Sequence, residues 1–356
     1  MLQEFTALVQ AAIQAPSGDN TQPWWFDLDA EQGLIIGSVA ETRDPSPMNA
    51  GQRMARIALG AAIENLLMAA PAVGFEARLE HVDNEGRAWV RLQPGSLTVH
   101  GNPLAVIPAR VTNRRLYEHR PVPPDVLTTL RQQTPPLEAV STHWLVEPER
   151  LKSLAELIGR ADATMFGEPT MRHAFLSKVR FDLPPDAAAE EGLPLSSLEL
   201  SRMDRFALRL MPRLPNYLLT NSGGLKAFAS KARKLVESSS GLCVIVAPDS
   251  EIATDLTVGR AMQRAWLALT EAGLAAQPMM SLPVLENVLD NGSPEVVATI
   301  GRERVAALSA EFRSRVPEVG TGRLAWLMRF GYAPPPSGRT GRLPVTAVIR
   351  ELASAR

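Results

Sequence analysis

Apolar residues recur at helical spacing at the start of the chain, where Leu2, Phe5, Val9, Ala12 and Ile13 share one face. The helix is predicted to end at Ala15-Pro16, because proline disfavours the α conformation in the residue before it. The polar loop Ser17-Gly18-Asp19-Asn20 follows, and the pattern then turns strand-like at Trp24-Trp25-Phe26 and again over 33–39. An alanine- and leucine-rich helix is predicted over 50–73. It stops at Gly74 and feeds two strands around Asn84-Glu85-Gly86, a hairpin. Past Arg110, Pro123-Pro124-Asp125 opens a helix over Pro124–Gln133, Trp144-Leu145-Val146 reads as a strand and 148–160 as a helix. The span 165–235 holds several helical stretches without one clean period and reads as an inserted helical lid. A short buried strand over 242–247 and a second long helix over 254–272, closed by Gly273, complete the pattern.

The two long helices resemble each other. With Gly60 set against Gly259, a shift of 199 residues, Ala62 meets Ala261, Ile63 meets Met262, Met68 meets Leu267, Ala69 meets Ala268 and Gly74 meets Gly273. The flanks agree in part. A proline turn and a tryptophan strand precede each helix, at Ala15-Pro16 with Trp24-Trp25 and at Thr134-Pro135-Pro136 with Trp144. The Ser, Asn and Gln of the first flank have no counterpart in the second. The expectation is a duplicated unit, 1–109 and 110–356, whose second copy has lost its polar loop.

Composition narrows the function classes. Hydrophobic residues at 45% and charged residues at 21% describe a globular chain. A formal net charge of -1 points to neither nucleic acid nor an acidic membrane. The one cysteine, Cys243, sits in an apolar run and reads as a core thiol, and the five histidines form no metal-ligand pattern. Glu64 and Glu271 interrupt the apolar helices, and no basic leader precedes Glu4, so the expectation is a cytoplasmic protein without a membrane span.

The chemistry concentrates in four segments. The first is Ala15-Pro16-Ser17-Gly18-Asp19-Asn20-Thr21-Gln22-Pro23-Trp24. The second is Arg110-Val111-Thr112-Asn113-Arg114-Arg115 with Tyr117 and Pro121-Val122-Pro123 beyond it. The third is Glu271-Ala272-Gly273-Leu274 through Pro278-Met279-Met280. The fourth is Phe330-Gly331-Tyr332 through Arg339-Thr340-Gly341-Arg342-Leu343-Pro344. Together they resemble the nitroreductase family of FMN proteins, with the lid span resembling a tandem, flavin-sequestering branch. The resemblance implies an α+β, nitroreductase-like fold in which two duplicated αβ units form a pseudo-dimer inside one chain, with long central helices, a helical lid and a basic C-terminal tail. It implies a flavin loop of Pro16, Ser17, Asn20 and Gln22, an arginine start of Arg110, Asn113, Arg114 and Arg115, a backbone at Met279 and Met280 along the flavin, and basic tail residues Arg339 and Arg342.

Physical chemistry supports such roles from the residues themselves. A phosphate of nearly two negative charges suits arginine forks, which makes Arg110, Arg114 or Arg115, with Arg342, the phosphate candidates. A flat ring needs apolar faces and hydrogen-bonding groups at its polar edge. Ser17, Asn20 and Gln22 also suit a plain turn, and at least one of Trp24 and Trp25 suits core packing. In the resembling family one subunit lends the loop and the other the arginines. This chain has one loop and one arginine set, so the expectation is about one FMN per chain. The cofactor then carries the chemistry, with no catalytic triad or carboxylate pair. NAD(P)H is the expected transient donor, NADH or NADPH, to a nitroaromatic, quinone or similar small-molecule acceptor. A flavin-storage protein with little turnover is the alternative, and an interaction module without flavin is the third. An intrachain pair also makes a monomer the simplest oligomeric state.

Overall fold

The computed structural model describes residues 2–95, 102–184, 187–211 and 224–351. Helix α1 (Leu2–Ala12) buries Phe5, Val9 and Ala12 of the predicted face together with Leu8, while Leu2 is exposed and Ile13 is buried just beyond the helix. Strands β1 (Trp24–Asp29) and β2 (Leu34–Val39) precede helix α2 (Arg53–Ala69), and the hairpin β3 (Phe75–Val82) and β4 (Ala88–Pro94) follows. The second half runs through α3 (Pro103–Ala109), α4 (Pro124–Gln133), β5 (Ser141–Leu145), α5 (Pro148–Gly167), α6 (Pro169–Lys178), β6 (Val179–Arg180), β7 (Leu193–Pro194), α7 (Arg202–Leu210) and α8 (Gly224–Glu237). It continues with β8 (Gly241–Ala247), α9 (Ile252–Glu271), β9 (Ala275–Pro278), α10 (Ser281–Asn291), α11 (Pro294–Ile300), α12 (Arg302–Arg315), β10 (Arg323–Gly331) and β11 (Ile349–Glu351).

The architecture is mixed α+β with two principal sheets, ordered β11-β1-β2-β4-β3 and β5-β8-β10-β9. Without β11 each sheet places its third-in-chain strand at one edge and its fourth inside, and every pairing is antiparallel. Strand β11, from the end of the chain, then pairs parallel to β1, Phe26 beside Ile349, so the second half contributes a strand to the sheet of the first. One hydrophobic core runs from Phe5 and Trp24 through Ile57 and Trp266 to Phe330 and draws on both halves, and a second core, from Leu145 and Leu154 to Phe312 and Leu327, lies within the second half.

The central contact is between α2 and α9. A Cβ on Gly60 would stand 2.0 Å from the Leu256 carbonyl oxygen, and a Cβ on Gly259 would stand 2.0 Å from that of Ile57. Each of these contacts becomes the other under the 199-residue shift. The helices run parallel, since pairs advance together along both. Arg56 donates to Asp255 through Nη2 at 2.7 Å, Arg260 and Arg264 both donate to Glu64, and Gln263 donates to Asn65 at 2.7 Å. These polar groups pair across the interface where backbones are too close for large side chains, and Gln263 Oε1 alone of them is buried without a hydrogen-bond partner among the described residues.

Several elements differ from the expectation. The helix expected over 50–73 starts at Arg53, because Gly51 (φ 62) and Gln52 (φ 59) are left-handed and break the preceding 3-10 turn. The stretch Pro47–Val73 is long and apolar enough to cross a membrane by length and composition, but 67% of its most apolar window is buried inside this chain. The helix expected over 148–160 continues to Gly167. The span 165–235 is not purely helical: its parallel β6 and β7 pair directly. Its last helix, α8, packs on α5 and gives Ala232 and Val236 to the second core, so it is structural body rather than lid. Close packing explains this, for a Cβ on Gly159 would lie 2.6 Å from the Ala229 carbonyl oxygen. Positions 185–186 and 212–223 of the expected lid lie outside the described residues.

Because backbone carbonyls on the facing helix cannot swing aside like a side chain, Gly259→Ala should destabilise the fold by about 2–3 kcal/mol, as overpacking does in tight cores. Urea unfolding of the variant measures this. A loss below about 0.5 kcal/mol, the range of an unremarkable surface change, would contradict the close crossing.

Candidate functional site

The loop after α1 has an unusual backbone. Asp19 (φ 46), Asn20 (φ 58) and Gln22 (φ 51) are all left-handed without being glycine. Each such residue costs on the order of 1 kcal/mol, and the strain persists only where surroundings hold it. Ser17 Oγ accepts from the Gln22 amide at 2.9 Å, closing the loop on itself. Asn20 Nδ2 and Gln22 Nε2 both donate to the Glu190 carbonyl oxygen, at 2.9 and 2.7 Å, and Gln22 Oε1 accepts from the Leu343 amide at 2.9 Å. The loop of the first half is therefore clamped by two distant segments of the second.

The arginines divide into two kinds. Arg342 caps the end of α1, donating to the carbonyl oxygens of Ile13 (2.7 Å), Gln14 (3.1 Å) and Ala15 (3.0 Å), and reaches Asn20 Oδ1 at 3.1 Å. Cations suit that end of a helix. Arg110 shares the Gln14 carbonyl at 3.1 Å and stacks over the Trp266 ring, 4.6 Å from its centroid. Its buried Nε has no hydrogen-bond partner among the described residues. Arg114 donates to the Ser197 carbonyl oxygen at 3.0 Å, and Arg339 to that of Pro108.

These groups line a cleft with two arms. A small polar arm of ≈ 80 Å³ is bounded by Ser17, Asn20, Arg110, Arg114, Arg339 and Arg342. Pro16, Ser17, Asp19, Thr112 and Arg114 border both it and an adjoining larger arm of ≈ 300 Å³. That arm is walled by Ile57 and Ala58 of α2, Met262 and Trp266 of α9, and Met279 and Met280. The central helix pair thus forms its floor. Trp326, also in the wall, has a buried Nε1 without a partner.

Of the residues singled out by the motifs, Pro16, Ser17, Asn20, Arg110, Arg114, Met279, Met280, Arg339 and Arg342 border the cleft. Three do not, and each has a structural occupation. Gln22 is fully buried and ties the loop to Glu190 and Leu343. Asn113 donates to the Pro334 carbonyl oxygen at 2.8 Å and accepts from the Arg115 amide. Arg115 turns away to Ser337 Oγ (2.8 Å) and Glu199. The fully buried Arg329, to which the motifs gave no role, anchors the arginine segment. It donates to the Arg115 carbonyl oxygen at 2.6 Å and to Gln277 Oε1 at 2.9 Å, and covers the Tyr117 ring.

Charge in the polar arm is unbalanced. Burial, with Arg342 and Arg339 close by, pushes the Arg110 guanidinium well below its ordinary range, and burial with Arg339 brings Arg342 to about 10. Arginine stays protonated in proteins, so these side chains remain charged, and the lowering reflects burial first and the neighbouring arginines second. The opposite imbalance marks the larger arm, where three carboxyls face the cavity. Burial, with Asp44 nearby, raises Asp19 to about 7 against the pull of Arg114 and Lys178. Burial likewise raises Asp44, and raises Asp162, which accepts from Ser281 Oγ, to about 6. Asp19 could have been found in the sequence, since it lies inside the loop motif. Asp44, Asp162 and Trp266 carry no local signal. The arrangement can hold an elongated amphipathic anion, its charged end among the arginines and a flat apolar body over the helix pair.

Asp19 yields a pH prediction. Its carboxyl ionises near 3.8 unfolded and at about 7 folded, so the folded state binds more protons between these values and loses stability as pH rises through them. Asp19→Asn, an amide that tolerates the left-handed backbone, should therefore raise the melting temperature at about pH 8 and leave it unchanged at about pH 4. An equal effect at both would refute the assignment.

No family model matches this chain. An uncharacterised protein of Mycobacterium tuberculosis (strain CDC 1551 / Oshkosh) is 27% identical across 93% of this chain and 46% of its own length, so the chain spans about half of the curated relative it matches. Structural neighbours are nitroreductase-like proteins at low scores. An FMN-dependent nitroreductase from Mycobacterium smegmatis, in complex with NADPH, aligns over 69% of this chain and 96% of its own at 16% identity and a TM-score of 0.39. A nitroreductase with bound FMN from Bacteroides fragilis NCTC 9343 aligns over 66% and 90% at 15% identity and a TM-score of 0.34. An oxidised iodotyrosine deiodinase bound to FMN and 3-iodo-L-tyrosine aligns over 68% and 95% at 13% identity and a TM-score of 0.36.

Proposed function

We propose that the chain holds one FMN across the two-armed cleft and works as a flavin-dependent oxidoreductase, taking electrons from a reduced nicotinamide to a nitroaromatic, quinone or similar small acceptor. The observation that carries the reading is the juxtaposition of uncompensated arginines with an apolar arm floored by the central helices. Both arms are bordered by the motif segments that resemble the nitroreductase family. The cleft residues fit the group: among the described residues Arg110 Nε has no hydrogen-bond partner, and Arg114, which borders both arms, gives one hydrogen bond, to the Ser197 carbonyl oxygen. Both could take phosphate oxygens, while Trp266, Met262 and Met279 supply the apolar surface a flat ring needs.

Bound FMN supplies the hydride and electron transfer, so this chain's residues bind, orient and exclude water. Ser281 Oγ holds the Asp162 carboxyl in place at the wall of the larger arm. Phe166 and Phe175 close that arm from α5 and α6, and Leu193 and Ser197 close the polar arm. We further propose that the halves are duplicated units standing in for a dimer, with the shared strand order and the reciprocal Gly60 and Gly259 contacts in support. In the second half Thr134, the counterpart of the loop's start, accepts from Trp144 Nε1, and no polar loop like Ser17–Gln22 follows it. One site per chain is the consequence.

The same closure favours a second reading, in which flavin is stored rather than turned over. The Glu190 carbonyl accepts from both side-chain amides of the loop, which ties a distant segment to the proposed flavin site and suits retention of a bound flavin. Steady-state reduction of menadione or nitrofurazone by NADH and by NADPH separates the two, with sustained turnover expected of the oxidoreductase.

Two further outcomes test the binding reading itself. Purified protein should be yellow and release about one FMN per chain on heating, as one composite site demands. A ratio near two would overturn the single-site proposal. Arg114→Ala should weaken FMN binding by about 1.5–3 kcal/mol, roughly ten- to a hundredfold, while Arg115→Ala should change it little. Fluorescence titration of apoprotein with FMN reads both, and equal losses would place the phosphate elsewhere.

A further inference from the structure

Helix α7 presents an uncovered apolar stripe beside a basic one. Met203, Phe206 and Leu210 stand at helical spacing and are 80%, 65% and 36% exposed. Arg202, Arg205 and Arg209 repeat the same spacing one position earlier, so the two stripes run side by side along the helix. Leu208, on the face opposite the apolar stripe, is the residue that α7 buries, and it packs with Leu176, Val179 and Leu193. The outward stripe is therefore not the helix's own contact with the fold. Among the described residues the other exposed large apolar side chains are Leu2, Leu104 and Leu116, which lie apart in sequence. Single exposed apolar residues are ordinary, whereas three on one helix face mark a surface for a partner.

Charge on α7 selects the partner. Arg202 and Arg209 are exposed and hold no hydrogen bond or ion pair among the described residues, and Arg205 Nε donates to the Leu200 carbonyl oxygen at 3.1 Å. The one acid of the helix, Asp204, lies within electrostatic reach of Lys231 on α8. The face is thus locally cationic although the whole chain carries a net charge of -1. A second copy of the same helix would set arginine against arginine, a costly arrangement. A nucleic acid would use the arginines but leave Met203 and Phe206 in water. An anionic lipid surface uses both stripes, because apolar side chains enter the acyl boundary while arginines stay at the headgroups.

We propose that α7 docks the protein on an anionic lipid bilayer. The helix lies in the plane of the interface, with Met203, Phe206 and Leu210 among the acyl chains and Arg202, Arg205 and Arg209 at the headgroup phosphates. Leu193 and Phe175 belong to the apolar cluster under α7 and also border the two arms of the cleft, so the docked face and the cleft share one small cluster. Helix α7 itself borders neither arm, and the proposal does not rest on the flavin reading.

Co-sedimentation of the purified full chain with vesicles of phosphatidylglycerol and phosphatidylcholine, and with vesicles of phosphatidylcholine alone, tests it at low and at raised salt. Binding to the mixed vesicles is expected, with little to the neutral ones and a loss as salt screens the arginines. Phe206→Ser should weaken binding about tenfold or more through lost apolar burial. Arg209→Gln should weaken it about fivefold, as one cation fewer at an anionic surface does. Leu104→Ser removes an exposed apolar residue elsewhere and should leave binding unchanged. These side chains are exposed, so each variant should keep the wild-type melting temperature, and Met203→Ser serves in place of Phe206→Ser if that variant does not fold. The proposal is overturned if wild-type protein does not bind the mixed vesicles at low salt, if it binds the neutral ones equally well, or if folded Phe206→Ser or Arg209→Gln binds as wild type does. It is overturned too if Leu104→Ser weakens binding as much as Phe206→Ser. A wild-type dimer in analytical ultracentrifugation that Phe206→Ser dissociates would assign the face to a second copy and overturn it as well.

Discussion

The close parallel crossing of α2 and α9 is the contact on which the molecule depends. Glycine at 60 and at 259 lets each helix backbone rest on a carbonyl of the other. That approach brings Ile57 and Ala58 level with Met262 and Trp266, and these four make the floor of the cleft. It also commits the polar side chains on the facing surfaces to each other. Glu64 with Arg260 and Arg264, and Asn65 with Gln263, are paired within the interface. Removing one partner of such a group strands the other, so these pairs fix register more than they add net stability.

A second principle is the division of labour among arginines. Arg329 and Arg342 spend their donors on carbonyl oxygens and hold the chain together at the cleft's edge. Arg110 and Arg114 keep donors in reserve. The first pair positions the second: Arg329 binds the carbonyl of Arg115 beside Arg114, and Arg342 shares the Gln14 carbonyl with Arg110. An anion arriving in the polar arm would meet charge already assembled and desolvated, which is where charge-assisted hydrogen bonds are strongest. The backbone strain at Asp19, Asn20 and Gln22 belongs to the same assembly. It is maintained by Glu190 and the tail rather than by the loop itself.

Much of the fold was legible in the chain because its signals are local. The face of α1, the strand at Trp24, the hairpin around Gly86 and the left-handed glycines at 74 and 273 all follow from residues within a turn or two of one another. Elements failed where the deciding neighbour was remote. Helix α8 looked like part of a lid, and only its packing against Gly159 makes it core. The start of α2 moved to Arg53 because Gln52 takes a left-handed backbone that its own identity does not demand.

The side chains of the motif segments divide between the cleft and the body of the fold, and the motifs could not sort them. Arg114 and Arg115 are equivalent as letters, yet consecutive residues point in different directions, one to the cleft and one to Glu199. Gln22 and Asn113 have the amides that suit a ligand edge and use them on Leu343 and Pro334. Asp44 and Asp162 gave no local sign, because their properties come from burial and from charges brought near by the fold. The sequence by itself determined which residues have the shape and donors for each role, through periodicity, backbone preference and side-chain chemistry. Only the tertiary structure decided which polar groups were already satisfied and which were left with charge or donors to spare, because hydrogen bonding and desolvation depend on what lies within a few ångströms, whatever its distance along the chain.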